Sequence, residues 1–267
     1  MIAVAGLVLG VMLVAMAAGW LTVRATDNGG WTDVFWTYGT GATLALAALA
    51  PAAGAALWRQ VLIAVLVAAW SLRLGTYVAV RVAKGAEDAR YVTLKKEWRG
   101  RFLLNMLGLA LVQAPFTAVM SISVLYAARA PAPGFRVQDA LGVAILVLAI
   151  AGEGLADRQM KQFKAEHKDD KDAVCDKGLW SWSRHPNYLF EALGWVAYPV
   201  IAIDPAHPLT LLSLVAPVAM GLLLRFGTGV PPLEAAMVRS RGDAYRRYQA
   251  RVSAFLPRPP KSEEAST

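Results

Sequence analysis

The sequence predicts an all-α polytopic membrane protein with seven transmembrane helices, its N-terminus outside and its C-terminus cytoplasmic. Three observations carry this. The 267-residue chain is 57% hydrophobic with a mean hydropathy of +0.43, more apolar than an ordinary soluble domain. Its apolar residues come in blocks of about twenty, the length that crosses a bilayer as helix, not in the stripes of a soluble Ala-rich bundle. Its Lys and Arg residues collect on alternate connections, as the positive-inside bias requires.

The blocks run in order. Residues 2–23 lack the basic start of a secretory signal and are expected to stay as a first helix. The second span, 31–50, opens with Trp31, Asp33, Trp36 and Tyr38, and Pro51 and Gly54 form the turn after it. The third, 57 to about 80, carries Arg73 and Tyr77 within it. A polar loop is expected from Arg81 to Arg101. The fourth span, 102 to about 126, holds Pro115 as a kink point, and a Pro-rich turn fills 130–134. The fifth span, 137 to about 155, continues as helix leaving the membrane over 156–166. After a polar loop at 167–177 come the sixth span, 187–203, ended by Asp204-Pro205, and the seventh, 209 to about 226. An amphipathic stretch follows at 234–248. The last residues, 258–267, are too polar to bury anything and are expected to be disordered. One domain is expected over 1–257, with a cofactor half at about 137–257.

Charge parity supports the count. The basic segments follow the third, fifth and seventh spans, hence lie on one side. The opposite loops are nearly free of Lys and Arg, apart from Arg59, Arg129 and Arg136. The formal charge of +8 is therefore topological, and no basic soluble module for nucleic acid is visible. Cys175 stands alone, so no internal disulfide can form. The histidines at 167, 185 and 207 show no metal-ligand spacing.

Chemistry concentrates at Trp180-Ser181-Trp182-Ser183-Arg184-His185-Pro186-Asn187-Tyr188-Leu189-Phe190-Glu191. Pro186 suits the first position of a helix, with Ser183 or His185 near the cap. Asn187 and Glu191, four apart, share a face. Ionisable groups within a bilayer are costly and tend to be functional; Asp33, Arg73, Glu153 and Glu191 qualify. Glu153, Asp157 and Lys161 repeat every four residues down the fifth helix, and Lys164 continues the stripe. For Asp157 and Lys161 a solvated helix end with i,i+4 pairs is an equal alternative. For Arg73 and Tyr77 the alternative is snorkelling to the inner surface, and for His185 a surface histidine. Together Arg73, Lys161, Lys164 and Arg184 offer cations for phosphates. Asn187, Glu191, Glu153 and Asp157 offer partners for ribose and amide groups, and the indoles and Tyr188 offer rings. That set suits a dinucleotide held without a Gly-rich phosphate loop.

From Ser183 to Tyr188 and Glu191 the chain resembles the steroid 5-alpha-reductase superfamily, and more narrowly the bacterial DUF1295 membrane proteins grouped with it. Asp33-Val34-Phe35-Trp36, Trp70-Ser71-Leu72-Arg73-Leu74, Asp88-Ala89-Arg90-Tyr91 with Trp98, Glu153 to Gln159, Gly178-Leu179-Trp180 and Leu233-Glu234 to Tyr248 extend the resemblance over nearly the whole chain. The resemblance implies an integral membrane oxidoreductase of lipid metabolism, in a bacterial inner membrane. NADPH would bind on the cytoplasmic side at Arg73, Asp157, Lys164, Asn187 and Glu191, with Glu153 where the steroid enzymes use an asparagine. Hydride would add to a carbonyl-conjugated C=C of an apolar small molecule. His185 and Tyr188 complete the expected cofactor set, and no metal is expected.

The sequence departs from the steroid enzymes at Trp70, where their catalytic tyrosine stands. An indole N–H can donate one hydrogen bond but cannot act as an acid. Asp33, Tyr38 and Tyr77 are the remaining catalytic candidates. Arg-His-Pro followed by Tyr, and the Tyr-Arg-x-Tyr tail, also resemble isoprenylcysteine-type methyltransferases that use S-adenosylmethionine. A non-catalytic lipid-binding relative is the third reading, which Trp70 allows.

Overall fold

The computed structural model describes residues 1–85, 87–131, 134–170 and 172–261. Part of the expected turn at 130–134 and the tail from 262 lie outside the described residues. The structure is 79% helical, with no strand among the described residues. The helices are α1 (Ile2–Thr26), α2 (Trp31–Leu49), α3 (Leu57–Ala83), α4 (Ala89–Trp98), α5 (Phe102–Leu111), α6 (Gln113–Ala128), α7 (Val137–Glu166), α8 (Pro186–Ala202), α9 (Val215–Phe226) and α10 (Val230–Arg251). Short 3₁₀ turns stand at Gly178–Ser181 and Pro208–Leu214.

Five helical stretches among the described residues are long and apolar enough to cross a membrane: Ile2–Thr26, Leu57–Ala83, Arg90–Ala128, Val137–Glu166 and Pro208–Arg251. In the last of these the apolar part ends near Phe226. α10 carries Glu234, Arg239, Arg241, Asp243, Arg246, Arg247 and Arg251, too many charges for a hydrocarbon layer. The other two expected spans fold as helices but fall outside the five. α8 has only 17 residues. α2 places Thr32, Asp33, Thr37, Thr40 and Thr43 along its 19 residues. The chain is thus an all-α protein with several long apolar helices suited to a membrane.

The chain divides into two compact units, one of Met1–Leu146 and Val196–Ala216, the other of Val147–Trp195 and the residues from Pro217 on. In the first unit, α1, α2, α3 and α6 bury Met12, Met16, Leu44, Ile63, Val67, Met120 and Leu125 completely. α2 and α3 approach closely because position 41 is glycine: a Cβ there would lie 2.0 Å from the Ser71 hydroxyl. That hydroxyl donates to Thr37 O at 3.0 Å. Most α2 polar side chains are satisfied internally, whereas Thr32 Oγ1 is buried with no hydrogen-bond partner among the described residues. Thr37 bonds Asp33 O at 2.8 Å, Thr40 pairs with Thr117 at 3.0 Å, and Trp36 Nε1 donates to Thr117 at 3.2 Å. A polar α2 is therefore compatible with a buried position.

The segment expected as a loop from 81 to 101 is largely helix. α3 runs on to Ala83, and Asp88 caps α4 by accepting from Arg90 N. The apolar face of α4, Tyr91, Leu94 and Trp98, packs with Trp20, Val23, Phe102 and Met106. Two of its charges find partners outside the helix: Arg90 with Asp33 at 2.9 Å and Lys95 with Glu87 at 3.1 Å. Glu87 in turn accepts from Gly29 N at 2.8 Å. These long-range partners turn a run of charges into an ordered helix. The expected kink of the fourth span is a break between α5 and α6 near Val112. Pro115 has no N–H for the carbonyl of Leu111, where α5 ends.

In the second unit, α7 passes α8 where Gly152 meets Phe190; a Cβ at 152 would lie 2.4 Å from that ring. Pro186 is the first residue of α8, as expected. Residues 258–261 carry no helix yet are not loose. Arg258 N donates to Trp182 O at 3.1 Å and Lys261 N to Arg251 O at 3.0 Å.

Candidate functional site

In the second unit, the Ser183-Arg184-His185 turn is gripped by α10 and the irregular segment after it. Ser183 Oγ donates to Phe255 O at 2.8 Å, and Arg184 N to Ser253 O at 2.8 Å. The Arg184 guanidinium forks onto Glu234, Nε to Oε1 at 2.6 Å and Nη2 to Oε2 at 3.1 Å. Its Nη1 reaches Gln249 O at 3.0 Å and also Val252 O. Gln249 Nε2 donates to Glu234 Oε2 at 2.9 Å. His185, 2% exposed, sits 3.0 Å from Glu234 Oε1 through Nε2. Upstream, Tyr248 OH donates to Trp180 O at 2.6 Å and Trp180 Nε1 to Ala156 O at 3.1 Å, which ties the motif to α7 as well.

This clasp has a defined charge state. Burial works against the Glu234 carboxylate, but hydrogen bonds from His185 and Arg184 and the Arg184 charge hold it down at about 2. Burial pushes the His185 imidazole below its usual value, against the opposing pull of Glu234. His185 is therefore neutral near pH 7. With Glu234 ionised, Nε2 must be the protonated nitrogen. Nδ1 is then a bare acceptor, buried and without a hydrogen-bond partner among the described residues. The ring stacks on Tyr188 at 5.6 Å.

The remaining expected residues of this unit lie on α7 and α8. Glu153, Asp157 and Glu191 are buried, at 6%, 7% and 6% exposure. Glu191 Oε1 accepts from Trp195 Nε1 at 3.0 Å. The Gly152–Phe190 contact puts Glu153 and Glu191, each one residue further on, at one level of the helix pair. Asn187 and Tyr188 are half-buried on the first turn of α8, and Lys161 and Lys164 are exposed. A cleft of about 410 Å³ opens where α7 ends, lined by Phe163, Lys164, His167, Lys168, Ser240 and Arg241 among others. The Phe163 and His167 rings stack there at 4.3 Å.

In the first unit, Arg73 lies over the Tyr77 ring, 5.7 Å from its centroid. Tyr38 OH pairs with Thr76 Oγ1 at 2.9 Å. Asp33 accepts from Arg90 at 2.9 Å and from Tyr91 OH at 2.7 Å. Trp70 is buried, edge-on to Trp36 at 6.1 Å.

Sequence reasoning missed Glu234 and Gln249 as members of the clasp. The signal was present: Arg184 and His185 had no acid in their own turn, and α10 offers only Glu234 and Asp243. Arg184, expected at phosphates, has its donors taken inside the fold.

The chain matches the family described as "Protein of unknown function (DUF1295)" over residues 19–252 and belongs to it. It matches no curated protein and no solved structure.

Proposed function

We propose that the chain is a membrane-embedded, NADPH-dependent reductase of a carbonyl-conjugated C=C bond in an apolar, lipid-like or steroid-like substrate. It would cross a bacterial inner membrane seven times, with the cofactor site facing the cytoplasm. One observation carries the reading. α7 presents buried carboxylates at Glu153 and Asp157 and then a cationic cleft at Lys164. From 153 to 164 the helix rises about 16 Å, a strip of acceptors followed by cations that suits the ribose and phosphate parts of an extended dinucleotide. The orphaned acceptor on His185 Nδ1 points to a ligand rich in hydroxyl or amide donors.

Bound NADPH would supply a hydride for the β carbon of the conjugated bond. Glu153, Asp157 and Glu191 accept from ribose hydroxyl and carboxamide donors, with Asn187 beside them. Lys161 and Lys164 hold phosphate charge, and Tyr188 offers a ring face. Arg184 and the Nε2 side of His185 act indirectly, by fixing the turn from which α8 starts. The substrate carbonyl needs a donor as negative charge builds on its oxygen. Asp33 already accepts at both carboxylate oxygens, so that role falls to Tyr38 or Tyr77. The buried carboxylates would also suit the sulfonium of S-adenosylmethionine, which keeps a methyltransferase as the second reading.

Thermal stability of the detergent-purified protein tests these readings, since a ligand that binds only the folded state raises the midpoint. A rise with NADPH, reduced in Asn187→Ala, is the expected result. A rise with S-adenosylmethionine alone would replace the reductase by the methyltransferase. No rise with either would leave the non-catalytic lipid-binding reading.

A further inference from the structure

In the first unit, the opening turns of α3 and α7 bury a charged cluster that takes no part in the site above. Arg59 and Asp139 are both 0% exposed and meet at 3.0 Å. Asp139 also accepts from Arg136 N at 2.8 Å and from Arg136 Nη2 at 3.4 Å. Arg136 Nη2 donates in addition to Ile201 O at 2.6 Å, and Arg59 Nη2 to Gly134 O at 3.4 Å. Two guanidiniums thus share one buried carboxylate. Asp204 lies at the exposed rim, where it accepts from His207 and Ala206 N. Nε and Nη1 of Arg59 and Nε of Arg136 are buried and have no acceptor among the described residues. Buried N–H donors of a cation left unpaired are costly. The Arg59 guanidinium lies 4.7 Å from the Trp58 ring centroid, and Trp58 pairs with Phe135 at 6.0 Å. Both rings reach the surface, at 36% and 64% exposure. Exposed aromatics at helix ends mark the headgroup level of a bilayer.

We propose that Arg59 and Arg136, beneath the Trp58–Phe135 pair at the start of α3 and α7, form a binding site for a phosphate group. The unpaired guanidinium N–H groups and the helix start both favour an oxyanion. With Arg129, these arginines are the exceptions in loops otherwise poor in basic residues. A ligand of this kind would supply the acceptors that both buried guanidiniums lack. The phosphate could belong to a phospholipid headgroup or be free in solution.

The test uses full-length protein, delipidated in detergent, and follows its melting midpoint. The probes are short-chain phosphatidylglycerol, a diacylglycerol with the same chains, and inorganic phosphate. A phosphate-bearing probe at saturation should raise the midpoint by roughly 3 °C or more, and diacylglycerol should not. A rise with phosphatidylglycerol alone identifies the lipid source, and an equal rise with inorganic phosphate identifies a free anion. Arg136→Gln, at a partly exposed position, should fold and lose most of the rise, even if Arg59→Gln fails to fold. An equal rise with diacylglycerol, an undiminished rise in Arg136→Gln, or no rise with any probe overturns the proposal.

Discussion

Arg184 and Arg59 are both nearly or fully buried, at 10% and 0% side-chain exposure, yet they sit in opposite situations. Around Arg184, a carboxylate fork and two main-chain carbonyls take up the guanidinium, and Gln249 and His185 complete the ring around Glu234. Around Arg59, one carboxylate is shared with a second arginine and two of its three nitrogens have no acceptor among the described residues. The first arginine belongs to the scaffold, because the fold satisfies it. The second is set up to meet something the fold does not contain. Residue type and burial alone would have assigned the same role to both.

The comparison can be broken most severely at Glu234. Glu234→Ala leaves Arg184 buried without its carboxylate, and losing one partner of a buried pair costs about 3–5 kcal/mol. The expected outcome is a collapse in yield or a drop of many degrees in the midpoint; an unchanged midpoint would show that the clasp holds nothing together. Acid titration sharpens the same point. The Glu234 carboxyl is lowered from 4.5 to about 2, so its contribution is complete above 4.5 and is lost as pH falls toward 2. The imidazole of His185 is lowered below 6.5, so the unfolded chain takes up a proton first and stability begins to fall below 6.5. Both act in one direction. The midpoint should be level at neutral pH and decline through the acid range, with the portion between 4.5 and 2 missing in Glu234→Gln.

Asp33→Asn is a smaller test. The Asp33–Arg90 pair is partly exposed, 22% and 23%, so a loss of about 1 kcal/mol is expected. If turnover vanished while the midpoint barely moved, Asp33 would return to the chemistry from which its two hydrogen bonds now exclude it. Smallest of all is Arg246→Gln. Its ion pair with Asp243 is exposed at 66% and 80%, and no measurable change in midpoint is expected.

What could be read in advance follows the range of the interactions. The start of α8 was legible because Pro186 dictates it locally, and the length of α7 because an apolar block runs into an i,i+4 polar stripe. α4 was not legible. Its charges look solvated until Asp33 is brought to Arg90 and Glu87 to Lys95, and the first of these pairings joins residues 57 apart. The site was half legible for the same reason. Glu153, Asp157 and Glu191 stand out as acids in apolar helix, whereas Glu234 lies on a helix crowded with charge, where one buried carboxylate looks like its neighbours.

The reach of the Arg184 clasp also bears on synthesis. Its main-chain acceptors at Gln249 and Val252 lie 65 and 68 residues downstream, and Glu234 lies 50 downstream. A nascent chain that has not yet reached Glu234 therefore carries an arginine and a histidine before α8 with their partners still unmade. Contacts this distant in sequence close late. The clasp is complete only when nearly all of α10 has been translated, and a chain interrupted before residue 234 is marked by an unsatisfied charge at this turn.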